Sequence, residues 1–240
     1  MRRRFFVDRF EGGRATLKDE GAHHLGRVLR AEPGQEYELS DGNAVWLGRV
    51  ERVKRDAVEF ALLEPVAART PQVYVALLLA IVKFDRFEWC LEKATELGVA
   101  EIVPLAAARS EKGLLAASSK RASRWAKILL ESAQQARCLR PPRLRPLSRP
   151  EAAFTNVGAR HAVPILLSER SNAPAIKTVL ANSDAKSVAL AVGPEGGWTE
   201  EELATAQAAG FLEASLGPQI LRTETAVTAA LAVINYALGD

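Results

Sequence analysis

The chain has 240 residues with a formal net charge of +3, and its 48% hydrophobic and 25% charged residues are those of an ordinary globular protein with room for one large or two modest domains. Its longest apolar run, residues 73–82, falls short of the roughly 18 residues that cross a bilayer. Arg2, Arg3 and Arg4 lead into no apolar stretch of the kind a secretory signal needs, and two distant cysteines with three histidines show no zinc-ligand spacing, so a cytoplasmic protein without metal or membrane is expected.

Taken in order, residues 1–70 read as short strands joined by turns. A short helix is expected around residues 23–29. Tyr37-Glu38-Leu39-Ser40 runs into Asp41-Gly42, a strong hairpin signal, and strands are predicted over 45–53 and 57–63. The pattern is that of a small β-barrel ending at Thr70-Pro71.

From residue 71 to 240 the pattern changes. Residues 73–82 suit a strand covered on both faces. A helix follows, with Phe84, Phe87, Leu91, Ala94 and Leu97 on one side and Gly98 at its C-terminal cap. Lys93 and Glu96 read as an exposed pair on that helix. Ile102-Val103 is strand-like, and a helix over 118–137 turns Trp125, Ile128 and Leu129 inward. Residues 162–167, 187–192 and 212–216 are further apolar strands. Thr199-Glu200-Glu201-Glu202 opens a helix with a capping box, and a last helix over 223–238 buries Val227, Leu231 and Ile234. Strands alternating with helices predict an α/β domain with a mostly parallel sheet.

Charge is unevenly spread. Residues 109–149 hold eleven Lys or Arg against two acids, a net +9. Such a block suggests a polyanion-facing surface, with Lys120, Arg121, Arg124 and Lys127 on one broad helical face; the plainer alternative is a solvated helix followed by a proline-spaced linker.

Ligands of open parallel sheets bind beyond the carboxyl ends of the strands. Two loops are built for this: Gly193-Pro194-Glu195-Gly196-Gly197-Trp198, and Gly217 through Thr225. Neither fits the GxGxxG dinucleotide template or the GxxxxGK[ST] phosphate template, and the chain has no GxSxG elbow.

Together the two loops, with Leu216-Gly217 and Ile220-Leu221-Arg222-Thr223-Glu224-Thr225-Ala226 in the second, closely resemble the SPOUT methyltransferases. Within them the chain is similar to the ribosomal RNA small subunit methyltransferase E family. His23-His24-Leu25-Gly26-Arg27-Val28-Leu29-Arg30, the stretch from Lys83 to Gly98 and that from Glu131 to Arg137 agree in order. The resemblance implies a PUA-like, RNA-binding barrel before a methyltransferase domain tied in a deep trefoil knot. It also implies a homodimer that uses S-adenosylmethionine to methylate N3 of a uridine in small-subunit (16S) ribosomal RNA, whether naked or in the assembled 30S subunit. Knots are nearly absent from proteins in general, so only the motif carries that expectation.

Roles follow from the chemistry. A cofactor carrying adenosine needs an apolar slot and close backbone approach, which Leu167, Gly193, Gly196, Gly197, Leu216, Gly217, Ile220, Leu221 and Ala226 suit. The uridine N3 must lose its proton, so positive charge beside the developing anion should matter most. Arg222 is the first candidate for that charge. Glu224, as proton acceptor or as a group orienting Arg222, and Glu195 are the other catalytic candidates. Arg30 and Arg137 join the four basic helix residues as expected RNA contacts. A non-catalytic RNA-binding protein on the same scaffold is the alternative; a nucleotide-binding oxidoreductase lacks its glycine fingerprint.

Overall fold

The computed structural model describes residues 3–68, 70–181 and 183–239. The chain divides into two compact units, Met1–Thr70 with Glu131–Pro141, and Pro71–Leu130 with Pro142–Asp240.

The first unit holds β1 (Arg4–Phe6), β2 (Phe10–Glu11), β3 (Arg14–Lys18), α1 (Asp19–His23), β4 (Glu36–Ser40), β5 (Val45–Val53) and β6 (Ala57–Pro65). Its six strands form one sheet in the order β1-β4-β5-β6-β3-β2, parallel only between β1 and β4. The β4–β5 hairpin closes where Asp41 Oδ1 accepts from the backbone N–H groups of Asn43 and Ala44, each at 2.8 Å, as the Asp-Gly signal predicts. Helix α1 runs on into a π-helical turn, His24–Val28, that buries Leu25. Phe5, Leu17, Leu25, Leu39, Val58 and Phe60 make the core of this unit.

Residues 131–141 belong to this unit for a physical reason. Buried Arg4 donates to Glu38 at 2.8 Å and to the carbonyl oxygens of Arg137 and Cys138, while Ser40 Oγ donates to the Leu139 carbonyl at 2.6 Å. Each bond gives a partner to a polar group withdrawn from water.

The second unit carries β7 (Tyr74–Ala80), α2 (Phe84–Glu96), β8 (Glu101–Leu105), α3 (Lys112–Ser118), β9 (Arg143–Leu144), α5 (Pro150–Gly158), β10 (Val163–Leu167), α6 (Ile176–Leu180), β11 (Ser187–Val192), α7 (Glu200–Ala208), β12 (Leu212–Ala214) and α8 (Thr223–Leu238). Helix α4 (Ala122–Gln135) starts in this unit and crosses the division at Glu131. The sheet order is β12-β10-β11-β7-β8-β9, and every pairing is parallel. Beyond their first residues, which include Glu101 and Ser187, the central strands are apolar because helices cover both faces. One face packs Leu77, Leu79, Phe87, Leu91, Val227 and Ile234; the other packs Leu78, Leu105, Phe154, Trp198 and Phe211. The helix expected over 118–137 begins earlier, as α3, and passes through a 3-10 turn, Ser119–Arg121, into α4. Among the described residues no helix is long and apolar enough to cross a membrane.

Candidate active site

Strands β12, β10 and β11 are neighbours and run the same way, so the loops that leave their carboxyl ends converge. They enclose a cavity. Leu167, Ser168, Glu169 and Arg170 line it after β10, and Gly193, Pro194, Glu195, Gly197 and Trp198 after β11. Ser215, Leu216, Gly217, Gln219 and Leu221 follow β12, with Thr223 and Ala226 of α8 and with Arg109 from beyond β8.

The loop after β11 is braced from several sides. Arg109 Nη1 donates to the Gly196 carbonyl at 2.7 Å, and Trp198 Nε1 donates to the Leu167 carbonyl at 2.9 Å. The capping box forms as expected: Glu202 N–H donates to Thr199 Oγ1 at 3.2 Å and Thr199 N–H to Glu202 Oε2 at 2.9 Å. The other oxygen of buried Glu202 accepts from the Ala108 N–H at 2.8 Å. Gly197 has φ +69°, a conformation that favours glycine; a Cβ there would stand 2.9 Å from Oε1 of exposed Glu169, whose flexible side chain can move aside.

The loop after β12 is held differently. Residues 217–222 are all exposed. Ser215 and Gly217 bond to each other, and Thr223 Oγ1 donates to the Gly193 carbonyl at 3.3 Å. Gly217 has φ +136°, open to glycine and costly for any residue with a Cβ. Among the described residues no side chain caps the start of α8, which leaves first-turn N–H groups open to a ligand or water.

Of the expected cofactor residues, Leu167, Gly193, Gly197, Leu216, Gly217, Leu221 and Ala226 line the cavity. Gly196 and Ile220 do not. Gly196 faces the Arg109 side chain, and Ile220, on the outer arc of its loop, is 77% exposed. Ser168, Glu169, Arg170 and Arg109 were absent from the expected set, although the first three follow a predicted strand and fall under the same carboxyl-end rule.

Among the catalytic candidates, Arg222 is exposed at the N-cap of α8; its carbonyl accepts from the Ala226 N–H at 2.9 Å, and its side chain has no hydrogen-bond or ion-pair partner among the described residues. Glu224 makes no hydrogen bond or ion pair with it among the described residues. Its ion partner is Arg86 of α2, 3.9 Å away, and the same guanidinium meets Glu195. Arg86 was not foreseen, because nothing in sequence links position 86 to two loops more than a hundred residues downstream. One turn along α2, burial foremost and then the Glu224 charge push the Cys90 thiol up to about 12, which removes it as a nucleophile.

The RNA candidates divide. Lys120, Arg124 and Lys127 are exposed in the second unit, but Arg121 and Arg124 both pair with Glu88, at 3.5 and 2.8 Å, and Arg121 lies over the Phe84 ring. In the first unit Arg30 is exposed, and Arg137 stands 3.5 Å from Glu38. Lys93 pairs with Glu96 at 2.8 Å, as its spacing suggests.

Two family models match the chain: an RNA methyltransferase domain over residues 69–235 and an RNA methyltransferase PUA domain over residues 17–63. The ribosomal RNA small subunit methyltransferase E of Synechocystis sp. is 35% identical over 93% of this chain and 73% of that protein. Its namesake in Mycobacterium tuberculosis is 32% identical over 96% and 90%. Among solved structures, the Neisseria gonorrhoeae enzyme of the same name, bound to S-adenosyl methionine, is 28% identical with a TM-score of 0.88 over 98% of each chain. A Legionella pneumophila protein described as a methyltransferase in complex with the same cofactor is 29% identical, with a TM-score of 0.87 over 99% of this chain and 98% of that one.

Proposed function

Because this chain belongs to the ribosomal RNA small subunit methyltransferase E family, we propose that it carries a methyl group from S-adenosylmethionine to N3 of a uridine in small-subunit (16S) ribosomal RNA. The observation that carries this reading is the cavity where three neighbouring parallel strands deliver their loops, in a fold that matches a cofactor-bound family member over nearly its whole length.

The residues present fit the cofactor. Leu167, Leu216, Leu221 and Ala226 supply apolar walls for an adenine, while Gly193, Gly197 and Gly217 bring backbone groups close. S-adenosylmethionine, when bound, supplies the electrophilic methyl group. The chain's own part is orientation and charge. Arg222 offers a positive charge to the uridine ring as N3 loses its proton and bonds to the methyl carbon, whose bond to sulfur breaks. Glu195, half-exposed in the cavity lining, is the candidate proton acceptor, and Glu224 acts beside it. Arg30, Lys120, Arg121, Arg124, Lys127 and Arg137 contact phosphates, which fix register rather than sequence.

The same reading includes a PUA-like barrel for RNA in the first unit, a trefoil-knotted second unit, a homodimer, ribosomal RNA or the 30S subunit as partner, and work in the cytoplasm. A non-catalytic RNA-binding role is not favoured, since the cavity and both of its glycine loops are formed. Mapping methylated uridines in 16S ribosomal RNA from cells with and without the protein tests the reading. A uridine that loses its N3-methyl in the deletion and regains it on complementation supports it; an unchanged map overturns it.

A further inference from the structure

Arg86 lies outside the cavity lining, yet it pairs with one of the loops that form it and with the helix turn that follows the other. Its guanidinium meets Glu195, on the loop after β11, and stands 3.9 Å from Glu224, in the first turn of α8 after the second loop. The Arg86 and Glu224 side chains are only 25% and 19% exposed, so their charges interact through less water than a surface pair would. Glu224 Oε2 is buried with no hydrogen-bond partner, and no other cation pairs with Glu224 among the described residues. An arginine suits this place better than a lysine, because its planar fork reaches two carboxylates from one rigid group.

Resting on the reading of the cavity as the S-adenosylmethionine site, we propose that Arg86 is a positioning residue that clamps both cavity loops to α2 through Glu195 and Glu224. It holds the lip of the cavity in shape and neutralises two carboxylates where a polyanionic RNA must approach. It touches neither cofactor nor RNA. Its effect reaches the reaction through the two acids.

The test is a coupling cycle on the full-length protein. S-adenosylhomocysteine is titrated calorimetrically into the wild type, Arg86→Gln, Arg86→Lys, Glu195→Gln and the double variant Arg86→Gln/Glu195→Gln, and kcat and KM for ribosomal RNA are measured in parallel. Arg86→Gln is expected to weaken cofactor binding about tenfold, as loss of one shared interaction does, and to raise the KM for RNA. Arg86→Lys is expected to recover part of both. The double variant is expected to bind no worse than the weaker single variant. Fold-losses that multiply in the double variant would overturn the clamp, as would a lowered thermal midpoint with unchanged cofactor affinity. Should Arg86→Gln fail to fold, the same cycle run with Arg86→Lys decides the matter. A wild type that binds no S-adenosylhomocysteine would overturn the reading of the cavity itself, whereas a wild type that binds, with uncoupled variants, overturns only the clamp.

Discussion

The two ends of the parallel sheet in the second unit are built on opposite principles. At the carboxyl ends of β10, β11 and β12 the chain spends glycines, exposed residues and an uncapped helix start on a cavity. At the amino ends of β7, β8 and β10 it builds a closed polar cluster instead. Glu101, 2% exposed, accepts from Arg145 at 2.7 Å and lies 3.4 Å from Arg160, while Tyr74 stacks on His161 with ring centroids 5.6 Å apart. Burial alone would raise the Glu101 carboxyl, but the bonds and charges of the two arginines outweigh it and hold the group below the usual carboxylate value. The difference teaches that one end of the sheet opens into a cavity while the other pairs its polar groups internally, so that substitutions at the two ends should separate ligand binding from stability.

The largest effect is expected at the ligand end. Gly217→Val forces a β-branched residue into φ +136° and should remove measurable cofactor binding in a calorimetric titration while the protein stays folded, its thermal midpoint lowered only by the local strain. Gly196→Val should do much less, since its φ is ordinary and a Cβ there would meet the Arg109 side chain at 3.4 Å, an ordinary van der Waals contact. Equal losses in the two variants would break the distinction between a residue that lines the cavity and one that faces away from it.

Next in size is Arg222→Ala. If the side chain steadies the uridine anion, its contribution grows in the transition state, and single-turnover methylation should fall about a hundredfold while cofactor and RNA affinities change little. Arg222→Lys should recover only part of the rate. A rate at saturation near wild type, with weakened RNA binding, would reduce Arg222 to a phosphate anchor.

At the other end, Glu101→Gln should cost about 2 kcal/mol of stability, between the values for an exposed and a fully buried ion pair, because both arginines remain partly in water. Cofactor affinity should stay unchanged. Since the folded-state carboxyl titrates below its unfolded value, its stabilisation is present above the unfolded pKa and is lost as pH falls through the folded one. His161, its ring pushed down by burial and by Arg160, adds to the same trend, since acid protonates it more readily when unfolded. Thermal midpoints should therefore drop on acidification from neutral pH, and less steeply for Glu101→Gln than for the wild type.

The smallest effect belongs to neither end. Neutralising Lys120, Arg121, Arg124 and Lys127 together should flatten the salt dependence of RNA binding by roughly one unit for each phosphate no longer engaged. Fewer than four units are expected, because Arg121 and Arg124 already pair with Glu88. No change in slope would leave the face merely solvated.

Much of this could be read from the residues. The strand over 45–53 and the helices at the capping box and over 223–238 stand where hydrophobic period and cap chemistry put them, since these signals act within a few residues. Strands β1 and β3 and helices α5 and α6 were not foreseen: β1 and α6 are too short to carry a period, neither α5 nor α6 opens with a side-chain cap like that of α7, and tertiary packing supports them more than propensity does. The glycine loops were legible as special turns because the positive φ of Gly197 and Gly217 leaves a compositional mark, and both loops line the cavity.

What the sequence alone determined is the local and the chemical: where apolar faces lie, which turns need glycine, and which motifs mark a methyltransferase. Strand order was beyond it, and with strand order came the site. Placing β10 between β12 and β11 is what brings Ser168, Glu169 and Arg170 to the cavity beside the two glycine loops. The same holds for Arg86 against Glu195 and Glu224, for Glu101 against Arg145 and Arg160, and for Arg4 against residues 137 and 138. Each is a polar partnership across a long stretch of chain, and no periodic or composition signal encodes it, because such pairs form only after packing has brought their backbones together.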